Sequence, residues 1–247
     1  MPGFWVRPED VGEDHLILRD EEVRHLLKAR RYRQGDEVEA VDGEGFCYRA
    51  RIERIGADEV EAEILARMPE KGESPVRLLL ASALLKGQRF DFVVEKATEV
   101  GVAAIWPLIS DRVVLRSDSG RKLKRWQRLA RAATKQCGRS RVPQLEVPRS
   151  LDEVLVHLTR ECDAVLLATP DEVAVDADMG KARKIGLLVG PEGGFDPDEV
   201  DRVLAAGAVP FSWGERVLRA DTASVVLAAL ALHSAEGVLK NNGGQLG

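Results

Sequence analysis

The chain has 247 residues, 45% of them hydrophobic and 31% charged, and a formal net charge of −5. That composition reads as a globular chain of one large or two small domains and excludes disordered and collagen-like classes. No apolar run approaches the roughly 18 residues needed to cross a bilayer, so no membrane association is expected.

Residues 1–70 read as a small β-rich unit, a meander or barrel. Phe4-Trp5-Val6 and His15 to Leu18 are short strand candidates, and Asp20-Glu21-Glu22 is expected to cap a short helix through Ala29. Glu37 to Val41, Phe46 to Ile55 and Glu59 to Leu65 alternate or run apolar between two turn signals, Asp42-Gly43-Glu44-Gly45 and Gly56-Ala57-Asp58. Residues 71–75 sit in the best linker candidate, Glu70 to Pro75.

From Val76 the pattern changes to alternating strands and helices, and residues 76–240 form the expected second domain. Val76 to Ala83 is a buried strand. Phe90, Val93, Val94, Ala97 and Val100 recur at helical spacing, and Gly101 stops that helix. Ala103 to Leu108 is the next strand. Leu123, Trp126, Leu129, Ala130, Ala133 and Cys137 share one helix face, with Arg125, Arg128, Arg131 and Lys135 largely off it. A helix over Glu153 to Leu158 and strands at Ala164 to Ala168 and Ile185 to Val189 follow, then a helix from Asp196-Pro197 and an apolar helix from Thr222 to Ala235. Patterning alone suggests a Rossmann-like parallel α/β sheet with crossover helices.

Two loops stand out. Gly190-Pro191-Glu192-Gly193-Gly194-Phe195 follows a strand and precedes a helix, and the run from Trp213 to Ser224 repeats that arrangement. Such turns present backbone N–H groups to a ligand. The first is neither G-x-G-x-x-G nor G-x-x-x-x-G-K-[ST], and Glu192 would repel a polyphosphate. A plain tight connection fits the spacing equally well.

Charge is unevenly spread. Residues 112–141 hold eleven Lys or Arg against one acid, Asp118, for +10, which leaves −15 on the rest. A one-sign segment favours a phosphate-binding patch over an ordinary solvated face. Cys47, Cys137 and Cys162 are scattered without a C-x-x-C, and His15, His25, His157 and His233 lack H-x-x-x-H spacing. Neither a metal site nor a disulfide framework is expected, which suits the reducing cytoplasm. The N-terminus lacks an apolar h-region, so no signal peptide is expected.

GPEGGF at 190–195 and GERVLRADTA at 214–223 resemble the cofactor-binding half of the SPOUT methyltransferases. The closest likeness is to the RsmE type, the small-subunit ribosomal RNA (uracil-N3)-methyltransferases. Lys86-Gly87-Gln88-Arg89 with Glu95 to Gly101, Arg125-Trp126 through Lys135 to Pro143, and His25-Leu26 with Arg30-Arg31 and Gly35 to Val38 extend the likeness over nearly the whole chain. The family usually has Glu where Asp221 stands and commonly an aliphatic residue where Trp213 stands.

The resemblance implies a small PUA-like β-barrel RNA-binding domain over 1–70, a C-terminal trefoil knot in the SPOUT domain, and a homodimer. It implies S-adenosylmethionine, bound by the loops after Ala168, at Gly190–Gly194 and at Trp213–Ala223. By motif the cofactor residues are Leu167, Ala168, Gly190, Gly193, Gly194, Trp213, Gly214, Val217, Leu218, Thr222 and Ala223. Among these, Leu167, Val217 and Leu218 suit an adenine slot, Gly193 and Gly194 allow close backbone approach, and Thr222 is expected to cap the last helix. The implied reaction methylates uridine N3 in small-subunit (16S) ribosomal RNA. Uracil N3 carries a proton, so the site must remove it or stabilise the developing anion. Arg219 is the candidate stabiliser and Glu192 a weaker candidate base, which must be nearly dry to serve; Arg216 and Asp221 are further candidates, with Asp221 read more readily as a structural partner of Arg219. RNA contacts are expected from Arg125, Arg128, Arg131, Lys135 and Arg139, and from Arg24, Lys28, Arg30, Arg31 and Arg33. The alternatives are an RNA-binding module that has lost catalysis and an unrelated small-molecule α/β enzyme; intact loop glycines disfavour the first and the basic segment the second.

Overall fold

A computed structural model of the chain describes residues 3–29, 31–110, 119–170 and 182–243, without the side chains of 28, 29, 119 and 238–243. The chain divides into two compact units, Met1–Glu73 with Arg131–Val142, and Ser74–Ala130 with Pro143–Gly247. The first unit thus takes in residues 131–142, which the sequence pattern places with the second domain.

In the first unit, β1 (Phe4–Trp5), β2 (His15–Arg19), β3 (Glu37–Val41), β4 (Phe46–Ile55) and β5 (Glu59–Pro69) form one sheet. Its order is β1-β3-β4-β5-β2, with β1 parallel to β3 and the other pairs antiparallel. β1 and β2 are the two edges of the order, which makes the sheet a half-barrel. Period-two alternation sends Leu16 and Leu18, Val38 and Ala40, Tyr48, Ala50 and Ile52, and Val60 and Ala62 into one core. The α1 turn (Glu21–Arg24) runs into a π-helical turn, His25–Ala29, and buries Val23 and Leu26 against that core. Asp20 does not cap it: its φ is +56°, and its carboxylate pairs with Arg7 instead.

The Asp42-to-Gly45 signal is a real turn with a specific lock. The buried Asp42 Oδ1 accepts from the N–H groups of Glu44, Gly45 and Phe46 at 2.8, 3.1 and 3.1 Å, and Oδ2 accepts from the Tyr48 hydroxyl at 3.0 Å. Gly43, at φ +78°, is required there, because a Cβ would lie 2.2 Å from the Trp5 ring. The expected linker is not loose at its start. Lys71 Nζ binds Glu39 at 2.6 Å, and Glu73 grips the Arg139 guanidinium from below 10% exposure on both sides.

The second unit carries an all-parallel sheet. Its strands are β6 (Arg77–Ala83), β7 (Ala104–Ile109), β8 (Gln144–Leu145), β9 (Arg149–Ser150), β10 (Ala164–Ala168), β11 (Lys184–Val189) and β12 (Val209–Phe211). The order is β12-β10-β11-β6-β7-β8, with β9 also beside β7. β8, β9 and β12 are two or three residues long, too short for periodicity to reveal. The helices are α2 (Arg89–Val100), α3 (Ser119–Cys137), α4 (Leu151–Glu161), α5 (Pro197–Ala205) and α6 (Ala220–Gly243). α2 ends at Gly101 in the left-handed conformation, and α5 starts behind Asp196, whose N–H donates to Glu199 at 2.8 Å. α4 begins two residues earlier than the sequence suggests, because Ser150 and Glu153 form a capping box.

One topological fact positions the site. The adjacent strands β6 and β11 lead on in opposite directions, β6 to β7 on one side and β11 across β10 to β12 on the other, so the direction of sheet growth reverses between them. In open parallel sheets the carboxyl ends at such a switch point leave a crevice. The loops that follow Ala168, Val189 and Phe211 are the three that meet there.

Candidate active site

A cavity of about 630 Å³ opens at this switch point. Its walls are Ala168 to Pro170, Val189 to Phe195, Ser212 with Trp213, and Arg216 to Ala220, closed by Ala223 and Leu227 of α6 and by Arg89 at the start of α2.

Loop chemistry explains the shape. At Gly190 a Cβ would meet the Phe195 backbone N and ring at 3.1 Å, so glycine lets Phe195 fold back against the strand end. Gly194 sits at φ +71° and donates its N–H to Pro191 O at 2.9 Å, which closes the turn with open space above it. α6 starts where Ala223 N–H donates to Arg219 O at 2.7 Å. That start is pinned to β6 by the buried pair Ser82 Oγ and Ser224 Oγ at 3.0 Å.

The electrostatics are lopsided. Arg89 Nη1 lies 3.1 Å from Glu192 Oε1. Arg216 and Arg219 are exposed on the cavity wall and form no ion pair among the described residues. Between them Val217 is 80% exposed. The positive end of α6 faces the same region, so the wall favours a developing negative charge.

Residues 72–232 match the family model of an RNA methyltransferase domain, and residues 18–65 that of an RNA methyltransferase PUA domain. The chain belongs to the RNA methyltransferase family. It is 32% identical over 229 residues to a ribosomal RNA small subunit methyltransferase E of Synechocystis, covering 91% of this chain and 75% of that one. A protein of the same name from Mycobacterium tuberculosis is 34% identical over 227 residues, 88% of this chain and 85% of the relative. Among solved structures, a ribosomal RNA small subunit methyltransferase E of Neisseria gonorrhoeae, bound to S-adenosyl methionine, superposes with a TM-score of 0.81 at 31% identity. That match covers 93% of this chain and 96% of the other.

In this methyltransferase, Ala168, Gly190, Glu192, Gly193, Gly194, Trp213, Val217, Leu218, Arg219 and Ala223 line the cavity. Three expected cofactor residues do not. Leu167 points into the core cluster of the sheet, 1% exposed, because alternation along β10 turns it away from the loop edge. Gly214 lies in the third loop at φ +80° without reaching the cavity wall. Thr222 is inside the first turn of α6 rather than capping it, and its N–H donates to Asp221 Oδ1 at 2.9 Å. Nor does Asp221 pair with Arg219 among the described residues; its carboxylate serves the helix start. Arg89 and Phe195 are wall residues that the sequence reading quoted in motifs without assigning to the site.

The basic segment is mostly committed to structure. Arg139 is buried with Glu73, Lys135 Nζ pairs with Glu22, and Arg125 pairs with Asp91. The Arg131 guanidinium lies 3.8 Å over the Trp5 ring, and burial lowers its pKa from the ordinary value. Of the expected RNA-contacting residues, Arg24, Arg31, Arg33 and Arg128 are exposed and make no ion pair among the described residues. Arg30 and the Lys28 side chain fall outside the described residues. No group of three potential metal ligands occurs among the described residues, and no described helix is long and apolar enough to cross a membrane.

Proposed function

We propose that this chain transfers a methyl group from S-adenosylmethionine to N3 of a uridine in small-subunit (16S) ribosomal RNA. The observation that carries this reading is the switch-point cavity whose wall presents two unpaired guanidinium groups, Arg216 and Arg219, beside the apolar Val217 and Leu218. The cavity fits the cofactor's chemistry. Leu218, Leu227 and Pro191 give an apolar slot for a purine, and open space above Gly194 admits close backbone approach.

When bound, S-adenosylmethionine supplies an electrophilic methyl on a sulfonium. The chain's own residues do the rest. The glycine-rich loop and the Trp213–Ala220 loop hold and orient the ligand. Arg219 donates hydrogen bonds to a uracil carbonyl oxygen as N3 gives up its proton to solvent water at the open mouth of the cavity and charge moves onto O2 and O4. The guanidinium is already protonated and has no acceptor site, so it cannot take that proton. RNA phosphates are held by the free cations Arg24, Arg31, Arg33 and Arg128. The same reading carries a cytoplasmic homodimer with a knotted C-terminal domain; the family resemblance supports it, as does the 80% exposure of Val217 beside the cavity.

Incubation of purified protein with unmethylated small subunits and labelled S-adenosylmethionine tests this reading. Nucleoside mass spectrometry should find 3-methyluridine. A methyl on ribose or on another base would overturn the assigned atom, and no transfer to subunits or naked RNA would overturn the activity.

A further inference from the structure

The sheet of the second unit has a second cavity at the amino ends of its strands, away from the loops described above. It encloses about 380 Å³. Register dictates its lining. Lys184 pairs with Arg77, Leu79 with Ala104, and Ala104 with Gln144. Alternation then puts Arg77, Leu79, Ala104 and Trp106 on one sheet face. α4 packs on that face through Val154, Leu155 and Leu158, and its His157 and Glu161, one turn apart, reach the cavity.

The charges there do not balance. Arg77 and Lys184 begin adjacent strands directly opposite each other, an arrangement that repels. Lys184 is relieved by Glu161 at 3.4 Å, whereas Arg77 makes no ion pair among the described residues. Glu146 is already engaged, accepting from Gln144 Nε2 at 2.6 Å and from Arg149 Nη2 at 3.3 Å. Two buried donors of the lining remain unmet, Trp106 Nε1 and Arg149 Nε. The two side chains belong together: the Arg149 guanidinium lies 5.3 Å from the Trp106 ring, which also meets the His157 ring at 4.3 Å. Both carboxylates are therefore in use, and the two unmet buried atoms are both donors. Buried donors without partners are costly, and an acceptor-only ligand supplies what they lack.

We propose that this cavity is a second ligand site, taking a small oxyanion through a phosphate or carboxylate group held by Arg77, Arg149 and the Trp106 indole N–H. Three cations against two carboxylates suit a group of one or two charges rather than a polyanion. The phosphate could belong to a free small molecule or to the RNA, and the experiment separates the two.

Inorganic phosphate is titrated calorimetrically into the wild-type chain saturated with S-adenosylmethionine, at fixed ionic strength with chloride as control. Saturable binding should be seen, weakened about tenfold or more in Arg77→Gln through loss of a charge-assisted contact, and also weakened in Trp106→Phe, which keeps the ring and removes the N–H. Cofactor affinity should be unchanged in both variants, which shows that they are folded. If Arg77→Gln also lowers the salt slope of RNA binding by about one, the phosphate is the RNA's. An unchanged slope with lost phosphate affinity assigns a free small anion. Equal phosphate affinity in wild type and Arg77→Gln, or no phosphate binding once cofactor saturates the protein, overturns the site.

Discussion

Arg89 Nη1 stands 3.1 Å from Glu192 Oε1, joining the first residue of α2 to the glycine-rich loop after β11. Both side chains are more than a third exposed, so solvent screens the pair and it adds under about 1 kcal/mol to stability. Its meaning is chemical. A wet, ion-paired carboxylate is not the dry base that removal of the N3 proton demands.

Glu192→Gln should therefore leave the melting temperature nearly unchanged and slow single-turnover methylation by less than about tenfold, below the usual contribution of a general base. A loss of about a hundredfold or more would return Glu192 to the role of base.

Gly194 and Gly207 make a matched pair. Their φ angles are +71° and +92°, and a Cβ on either would meet nothing within 4 Å. Alanine at either position should cost on the order of 1–2 kcal/mol in chemical denaturation, the penalty for a left-handed L-residue. Only Gly194 lines the cavity, so only Gly194→Ala should weaken S-adenosylmethionine binding in calorimetry. Equal cofactor affinity in the two variants would remove the loop from the site.

Most of the architecture is legible in the sequence because the long strands and helices carry strong periodicity. Val76 to Ala83 and Ile185 to Val189 read as buried strands and, apart from the exposed Arg77, are buried on both faces. Three things were not legible. Strands such as Val209–Phe211 are too short to have a period. Side-chain commitments depend on tertiary partners: Arg139 reads as a basic-patch residue until Glu73, 66 residues away, is seen to bury it. Within the site, glycines betray their loops through composition, but whether Leu167 faces ligand or core turns on strand alternation at a boundary that sequence locates only to within a residue or two.

The same distinction divides the arginines of the basic segment by experiment. Arg128→Glu changes an exposed, unpaired side chain, so folding should hold while the salt slope of RNA binding falls by about one. Arg139→Gln leaves Glu73 buried at 8% side-chain exposure without its partner, which should cost on the order of 3–5 kcal/mol and leave the salt slope alone. Urea denaturation beside filter binding at several salt concentrations reads both. A stable Arg139→Gln with a reduced slope would place Arg139 on RNA after all.

Tyr48 gives the first unit an alkaline limit. Burial, and then the hydrogen bond to Asp42, push its phenol up to about 12. The unfolded chain releases this proton near pH 10, so between about pH 10 and 12 the native state binds more protons than the unfolded state. Stability is thus full below pH 10 and is lost as pH rises towards 12, by on the order of 2 kcal/mol from this group. Tyr48→Phe should cost about 1 kcal/mol at pH 7 for the lost hydrogen bond. Its difference from wild type in urea denaturation should shrink or reverse by pH 11.5, and a constant difference would count against the phenol as the titrating group.

Arg219 decides the mechanism. Its guanidinium is exposed on the cavity wall and has no ion pair with Asp221 among the described residues, so a structural role predicts a loss of stability that the geometry does not support. Arg219→Lys keeps the charge but loses the planar set of donors. If those donors hold the anionic uracil, single-turnover methylation should fall by on the order of a hundredfold. Affinities for cofactor and RNA should change far less, because the contact strengthens only as charge develops in the transition state. Arg219→Ala should melt close to wild type, and Asp221→Asn should keep most of its activity while losing a few tenths of a kcal/mol or more at the start of α6. Near-normal turnover in Arg219→Lys would transfer the role to Arg216, the other unpaired guanidinium on the same wall.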